Sequence, residues 1–160
     1  RAYNPDVRLI LILRNPIERA WSHWRMEYAR GAETRPFSWC IREGRVRLLD
    51  SEPWGYHREF SYVERGFYGE QVERLLGLFS RDQVLLLTSD ALRDSPNAAL
   101  ARVNAFLGLS APFAVDAREV HVGRDMDYGS SLSAADIAFL RAIYTRDMKR
   151  LEDLTGITFA

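Results

Sequence analysis

The chain has 160 residues and balances 22 basic against 22 acidic side chains, the size of one domain whose core buries about 70% of the unfolded surface. Hydrophobic content of 47% and charged content of 28% are ordinary for a globular protein, and zero net charge excludes a global attraction to nucleic acid or anionic membrane. The single cysteine, Cys40, excludes an internal disulfide and a cysteine metal cluster. No apolar run reaches the roughly 20 residues of a membrane span and no signal peptide is visible, so the cytoplasm is the expected location.

The first element is a strand. Val7 to Leu13 is an almost unbroken apolar run, interrupted by Arg8, the pattern of a strand covered on both faces of a parallel sheet. Arg14 ends it, and Asn15-Pro16 supplies a capping side chain and a fixed φ at a helix start. Ile17, Ala20, Trp21, Trp24 and Tyr28 then recur at helical spacing as a core-facing stripe, with Ser22 beside Glu18 and Arg25 off that stripe. The carboxyl end of a parallel strand and the amino end of the next helix form an anion site, to which Arg14 adds a planar fork of donors. The competing reading makes Arg14 a surface residue paired with an acid such as Glu18.

Phe37 to Leu49 reads as a second helix with Phe37, Cys40, Ile41, Val46, Leu48 and Leu49 as partial core, interrupted by Gly44. Ser51 to Glu64 is an aromatic loop carrying Trp54, Tyr56, His57, Phe60 and Tyr62. Gly66 to Phe79 is a helix, Gln83 to Leu87 a second buried strand, and Ser89 to Arg93 one helical turn. Ser95-Pro96 opens a helix that buries Leu100, Val103, Phe106 and Leu107 and stops at Gly108. Ala111 to Ser131 is irregular, and Ser133 with Asp136 forms a capping box for a last helix ended by Gly156. Strands separated by long helical crossovers predict an α/β fold with a parallel sheet.

Two strings carry a family resemblance. LRNPIERAWSHW resembles the 3′-phosphate-binding segment of sulfotransferases that use 3′-phosphoadenosine 5′-phosphosulfate (PAPS), of the bacterial and heparan-sulfate-sulfotransferase kind. RGFYGEQVERLLGLFSRDQVLLLTSDALRDSPNAALARVNAFLGL resembles the family's later helix, strand and helices, in the same order. The resemblance implies a partial P-loop-like, three-layer α/β/α domain over residues 1–160, mostly helical. It implies transfer of a sulfuryl group from PAPS to a hydroxyl or amine of a small-molecule, carbohydrate or lipid acceptor. Arg14 and Ser22 map onto the family's 3′-phosphate ligands, and Gly123-Arg124 onto a loop that closes over the nucleotide. No metal is implied. Nothing here matches the family's Lys-bearing 5′-phosphosulfate loop, since the only lysine is Lys149.

Arg1 is no natural initiator, and the first strand begins within a few residues of it. The expectation is therefore the carboxyl-terminal part of a longer enzyme, with the remaining strands and the phosphosulfate loop upstream, and a 160-residue piece that is inactive by itself. His23 and His57 are the histidines available as bases near these motifs, and neither has a pattern that marks it as catalytic. The alternative is a non-catalytic structural or nucleotide-binding module of the same fold.

Overall fold

The computed structural model describes residues 4–49, 58–110 and 124–159. Trp54, Tyr56, His57 and Gly123 lie outside the described residues. The chain forms two compact units, one from Arg1–Arg14 and Gln71–Val120, the other from Asn15–Glu70 and His121–Ala160.

The first unit holds the sheet. β1 (Leu9–Leu13) and β2 (Val84–Thr88) pair in parallel, with Leu9 opposite Val84 and Leu13 opposite Thr88. β2 is the buried strand, with Val84, Leu86 and Leu87 closed off from solvent. β1 departs from its sequence pattern. Leu13 is buried, but Ile10 and Ile12 are 38% and 57% exposed, so the run is covered on one face only among the described residues. An apolar run reports what a strand can bury, and cover comes from what packs on each face.

Gln83 ties the strand starts together, its Nε2 donating to the carbonyls of Pro5 and Val7 at 2.6 and 3.0 Å. Helix α4 (Ser89–Asp94) follows β2 directly, capped by Thr88, whose hydroxyl accepts from the Ala91 amide. Helix α5 (Pro96–Leu107) starts on its proline and ends at Gly108 with φ 72°, a left-handed conformation that glycine adopts at no steric cost. Leu100, Val103 and Phe106 of α5 are half-buried, and Leu107 is exposed rather than buried.

The second unit is helical and aromatic. Helix α1 (Pro16–Ala29) is followed by the short α2 (Phe37–Cys40) and a 3₁₀ helix at Glu43–Leu48, where the sequence suggested one continuous helix. The break falls at Arg42, with φ −113° and ψ −97°, and Gly44 makes the tight path possible. A Cβ on Gly44 would stand 2.8 Å from the Trp39 ring. That break turns Val46 and Leu49 outward, although both read as core candidates. A 3₁₀ turn at Glu64–Gly66 leads into α3 (Tyr68–Leu78), and α6 (Ala134–Thr155) closes the chain with the predicted Ser133–Asp136 capping box. Ala20, Trp24, Phe37, Cys40, Ile41, Tyr62, Val63, Leu140 and Tyr144 form the core, each at most 1% exposed.

Candidate functional site

Arg14 comes directly after β1 and before the cap of α1, where the chain leaves a buried Leu13 for an exposed position. The helix start it precedes is well capped. Asn15 Oδ1 accepts from the amides of Ile17 and Glu18 at 3.0 and 3.4 Å, and Pro16 has no amide hydrogen to satisfy. Two of the first-turn donors that an anion would use are therefore engaged by the protein's own side chain. The positive end of the helix dipole and the exposed Arg14 guanidinium add positive potential around this helix start.

Ser22 is exposed on the second turn of α1, on the outer face with Glu18 and Arg25, and its hydroxyl makes no hydrogen bond among the described residues. Arg14 belongs to the first compact unit and Ser22 to the second. Arg124, at the start of the described segment after residue 123, donates from Nη1 to the Ala29 carbonyl at 2.8 Å. That carbonyl is at the carboxyl end of α1, where a cation complements the helix dipole. The same segment packs further along the helix. Tyr128 donates its hydroxyl to the Arg124 carbonyl at 2.9 Å, its ring lies 6.1 Å from Trp24 and 6.0 Å from Tyr28, and the Arg25 guanidinium sits 4.5 Å above it.

The inner face of α1 carries charges that hydrophobic periodicity did not reveal. The predicted stripe packs on the core, and full burial of Pro16, Ala20, His23, Trp24 and Glu27 extends the covered arc toward a polar line at Arg19, His23 and Glu27. The Arg19 guanidinium donates to the Tyr62 carbonyl, and burial lowers its pKa. Burial, then the nearby Arg19 and Arg65 charges, lower the His23 pKa to about 4. Its ring packs edge-on against Tyr62 at 4.9 Å, with Glu27 Oε1 3.8 Å from Nε2. A neutral imidazole 7% exposed is a packed histidine, closed to an acceptor substrate.

Three more buried carboxylates act as anchors. Glu33 accepts from the amides of Thr34 and Arg35, from the Tyr62 hydroxyl at 3.0 Å and from Arg47 Nη2 at 2.9 Å. Burial alone would raise its pKa, but these donors bring it down to about 2. Next to it, burial and the Glu33 charge push the Cys40 thiol up to about 12, which keeps it an unreactive thiol. Asp136 binds Arg42 at 2.6 Å and Ser38 at 2.7 Å besides capping its own helix. Asp147 of α6 accepts from the amides of Gly69 and Glu70 at 2.7 and 2.9 Å, capping α3 from another helix. A Cβ at Gly69 would lie 2.2 Å from the Asp147 carbonyl, so only glycine permits this approach. The sole legible signal for these residues was the Ser133–Asp136 spacing. Glu33 and Asp147 have none, because Arg47 and Tyr62 reach Glu33, and Gly69 and Glu70 reach Asp147, from distant parts of the sequence.

Sequence and fold comparisons converge on one family. Human heparan sulfate glucosamine 3-O-sulfotransferase 3B1 is 28% identical over 108 residues, covering 68% of this chain and 26% of that protein. Human heparan sulfate glucosamine 3-O-sulfotransferase 6 is 28% identical over 109 residues, 68% of this chain and 30% of that protein. The crystal structure of a sulfotransferase from Alicyclobacillus acidocaldarius superposes with a TM-score of 0.78 and 26% identity, over 99% of this chain and 58% of that one. By sequence and by fold, the chain is similar to sulfotransferases. No family model matches it. The chain spans about a quarter of the length of the curated relatives it matches, 26% for the first of them. Its two parallel strands and helical crossovers agree with the α/β class predicted from the sequence. Among the described residues, no helix is long and apolar enough to cross a membrane.

Proposed function

We propose that this chain carries the 3′-phosphate-binding part of a sulfotransferase that moves a sulfuryl group from PAPS to a hydroxyl or amine, with a carbohydrate as the favoured acceptor. The observation that carries this reading is the coincidence of the LRNPIERAWSHW string with a strand end, an exposed arginine and a capped helix, in a chain whose fold neighbour is a sulfotransferase. The carbohydrate preference rests on relatives named for heparan sulfate glucosamine.

PAPS supplies the sulfuryl group and leaves as a bisphosphate, so the protein's tasks are charge neutralisation and positioning. Arg14 bonds two oxygens of the 3′-phosphate at once, and Ser22 adds a neutral donor from the outer face of α1. The Gly123-Arg124 contact with the nucleotide is part of the same proposal, and Arg124 must release the Ala29 carbonyl to make it. The test is a calorimetric titration of the chain with adenosine 3′,5′-bisphosphate, adenosine 5′-monophosphate and ATP. The expected order places the bisphosphate first by a wide margin. Equal affinity for the bisphosphate and monophosphate would remove the 3′-phosphate site, and tighter ATP binding would favour a different nucleotide chemistry.

A further inference from the structure

α1 and its C-cap carry three arginines whose surroundings differ in kind. Arg19 is held by the Tyr62 carbonyl and Arg30 by the Glu27 carboxylate, at 3.3 Å. Arg25 has neither a carboxylate nor a carbonyl partner among the described residues. Its contact is the Tyr128 ring, 4.5 Å from the guanidinium carbon. Elsewhere in the same unit Arg42, Arg45 and Arg47 are each paired with a buried or half-buried acid. Two acids stand on the Tyr128 segment itself, Asp125 and Asp127, and neither forms an ion pair with Arg25; the Asp127 carboxylate accepts from the Gly129 amide instead, at 2.8 Å.

Stacking on an aromatic face restrains a guanidinium while leaving its N–H donors at the edges. Tyr128 is itself restrained, by its hydroxyl bond to Arg124 and by packing on Trp24 and Tyr28. The stacked group is thus a preorganised fork of donors. It stands on the outer face of α1 one turn past Ser22, and residues three apart on a helix are neighbours, about 5–6 Å between Cβ atoms. Helical side chains also lean in general toward the amino end, which from Arg25 is the direction of Ser22.

We propose that Arg25 is a further anion-binding residue, its guanidinium laid on the Tyr128 ring so that it bonds the nucleotide's 3′-phosphate beside Ser22. Tyr128 is then a positioning residue that acts through Arg25 and links the segment after residue 123 to nucleotide occupancy. This inference rests on the reading that Ser22 borders the 3′-phosphate.

The test is calorimetry on the whole chain with adenosine 3′,5′-bisphosphate and adenosine 5′-monophosphate as probes, each variant also being melted. Arg25→Gln is expected to weaken bisphosphate binding about tenfold or more while changing monophosphate binding less than about twofold. Arg25→Lys keeps the charge without the fork and falls between. Tyr128→Phe retains the ring and binds as the parent, whereas Tyr128→Leu loses several-fold, again for the bisphosphate alone. Arg14→Ala and Ser22→Ala run alongside. Weakening in those two with parent-like binding by Arg25→Gln overturns the Arg25 assignment and leaves the site reading intact. Parent-like binding in all of them overturns both. Equal losses on the two probes mark Arg25 as a structural residue and overturn the assignment as well, as does a Tyr128→Phe variant no better than Tyr128→Leu.

Discussion

The two faces of α1 carry the same residue types to opposite ends. On the inner face Arg19, His23 and Glu27 are enclosed with Tyr62, and nearby Glu33 takes four donors. On the outer face Ser22 is open, and Arg25 is held only by an aromatic ring among the described residues. A charged side chain enclosed with its partners already at hand is part of the scaffold. One restrained but still rich in donors can bind something else. Side-chain type does not distinguish these roles, whereas burial and partner count do.

The sharpest way to test that contrast is to break the inner network. Glu33→Ala removes a buried carboxylate from the Arg47 guanidinium and the Tyr62 hydroxyl, and is expected to cost about 3–5 kcal/mol in denaturant unfolding, because the partners stay buried and unpaired. A loss below about 1 kcal/mol, the scale of an exposed pair, would mean that the network contributes little.

Acid should find the same face. The folded chain holds His23 near 4, below its ordinary 6.5, so the neutral form belongs to the fold. Its contribution is complete above pH 6.5 and is lost as pH falls toward 4, because the unfolded chain takes up the proton first, at a cost of about 2–3 kcal/mol. Glu33 acts over a lower window, with its contribution complete above 4.5 and lost as pH falls toward 2. His23→Gln should flatten the stability curve between pH 6.5 and 4 and leave the lower limb in place. An unchanged slope in that variant would place the titration elsewhere.

Outer-face substitutions should move binding and spare stability. Arg14→Ala, at the strand end, is expected to weaken adenosine 3′,5′-bisphosphate by roughly 10- to 150-fold with an unchanged melting curve. Ser22→Ala should lose about 1 kcal/mol of binding, the worth of a neutral hydrogen bond. A fall in melting temperature with unaltered affinity would move either residue into the scaffold class. Arg124→Ala is the smallest effect. Its bond to the Ala29 carbonyl is exposed, so stability should change by no more than about 0.5 kcal/mol, while bisphosphate release should quicken. Slower or unchanged release in stopped-flow measurements would confine Arg124 to the helix end where it is seen.

Local chemistry was readable where it is local. Asn15-Pro16, Ser95-Pro96, Gly108 and the Ser133–Asp136 pair marked helix boundaries, because caps and stops are made by neighbours in the chain. Phe37–Leu49 was misread as one helix because the break depends on Trp39 folding back over Gly44, a contact that the apolar spacing does not encode. The α1 stripe of Ile17, Ala20, Trp21, Trp24 and Tyr28 does face the core but was incomplete for a related reason. His23 and Glu27 are buried by Tyr62, Arg30 and the neighbouring charges, and a hydrophobicity pattern counts both as surface residues.

From the sequence alone came the two parallel strands, the helix starts and stops, and a family-like segment that contains Arg14 and Ser22. Those are properties of adjacent residues and short periods, where backbone propensity and capping decide the outcome. The tertiary structure decided which apolar faces are covered, leaving Ile10 and Ile12 exposed and enclosing His23. It also decided which of the chain's many arginines are committed. Arg47 meets Glu33, Arg42 meets Asp136, and Arg25 meets Tyr128 across sequence gaps that no local pattern spans. Commitment of a charge is a matter of distance in space and access to water, and only the folded chain sets both.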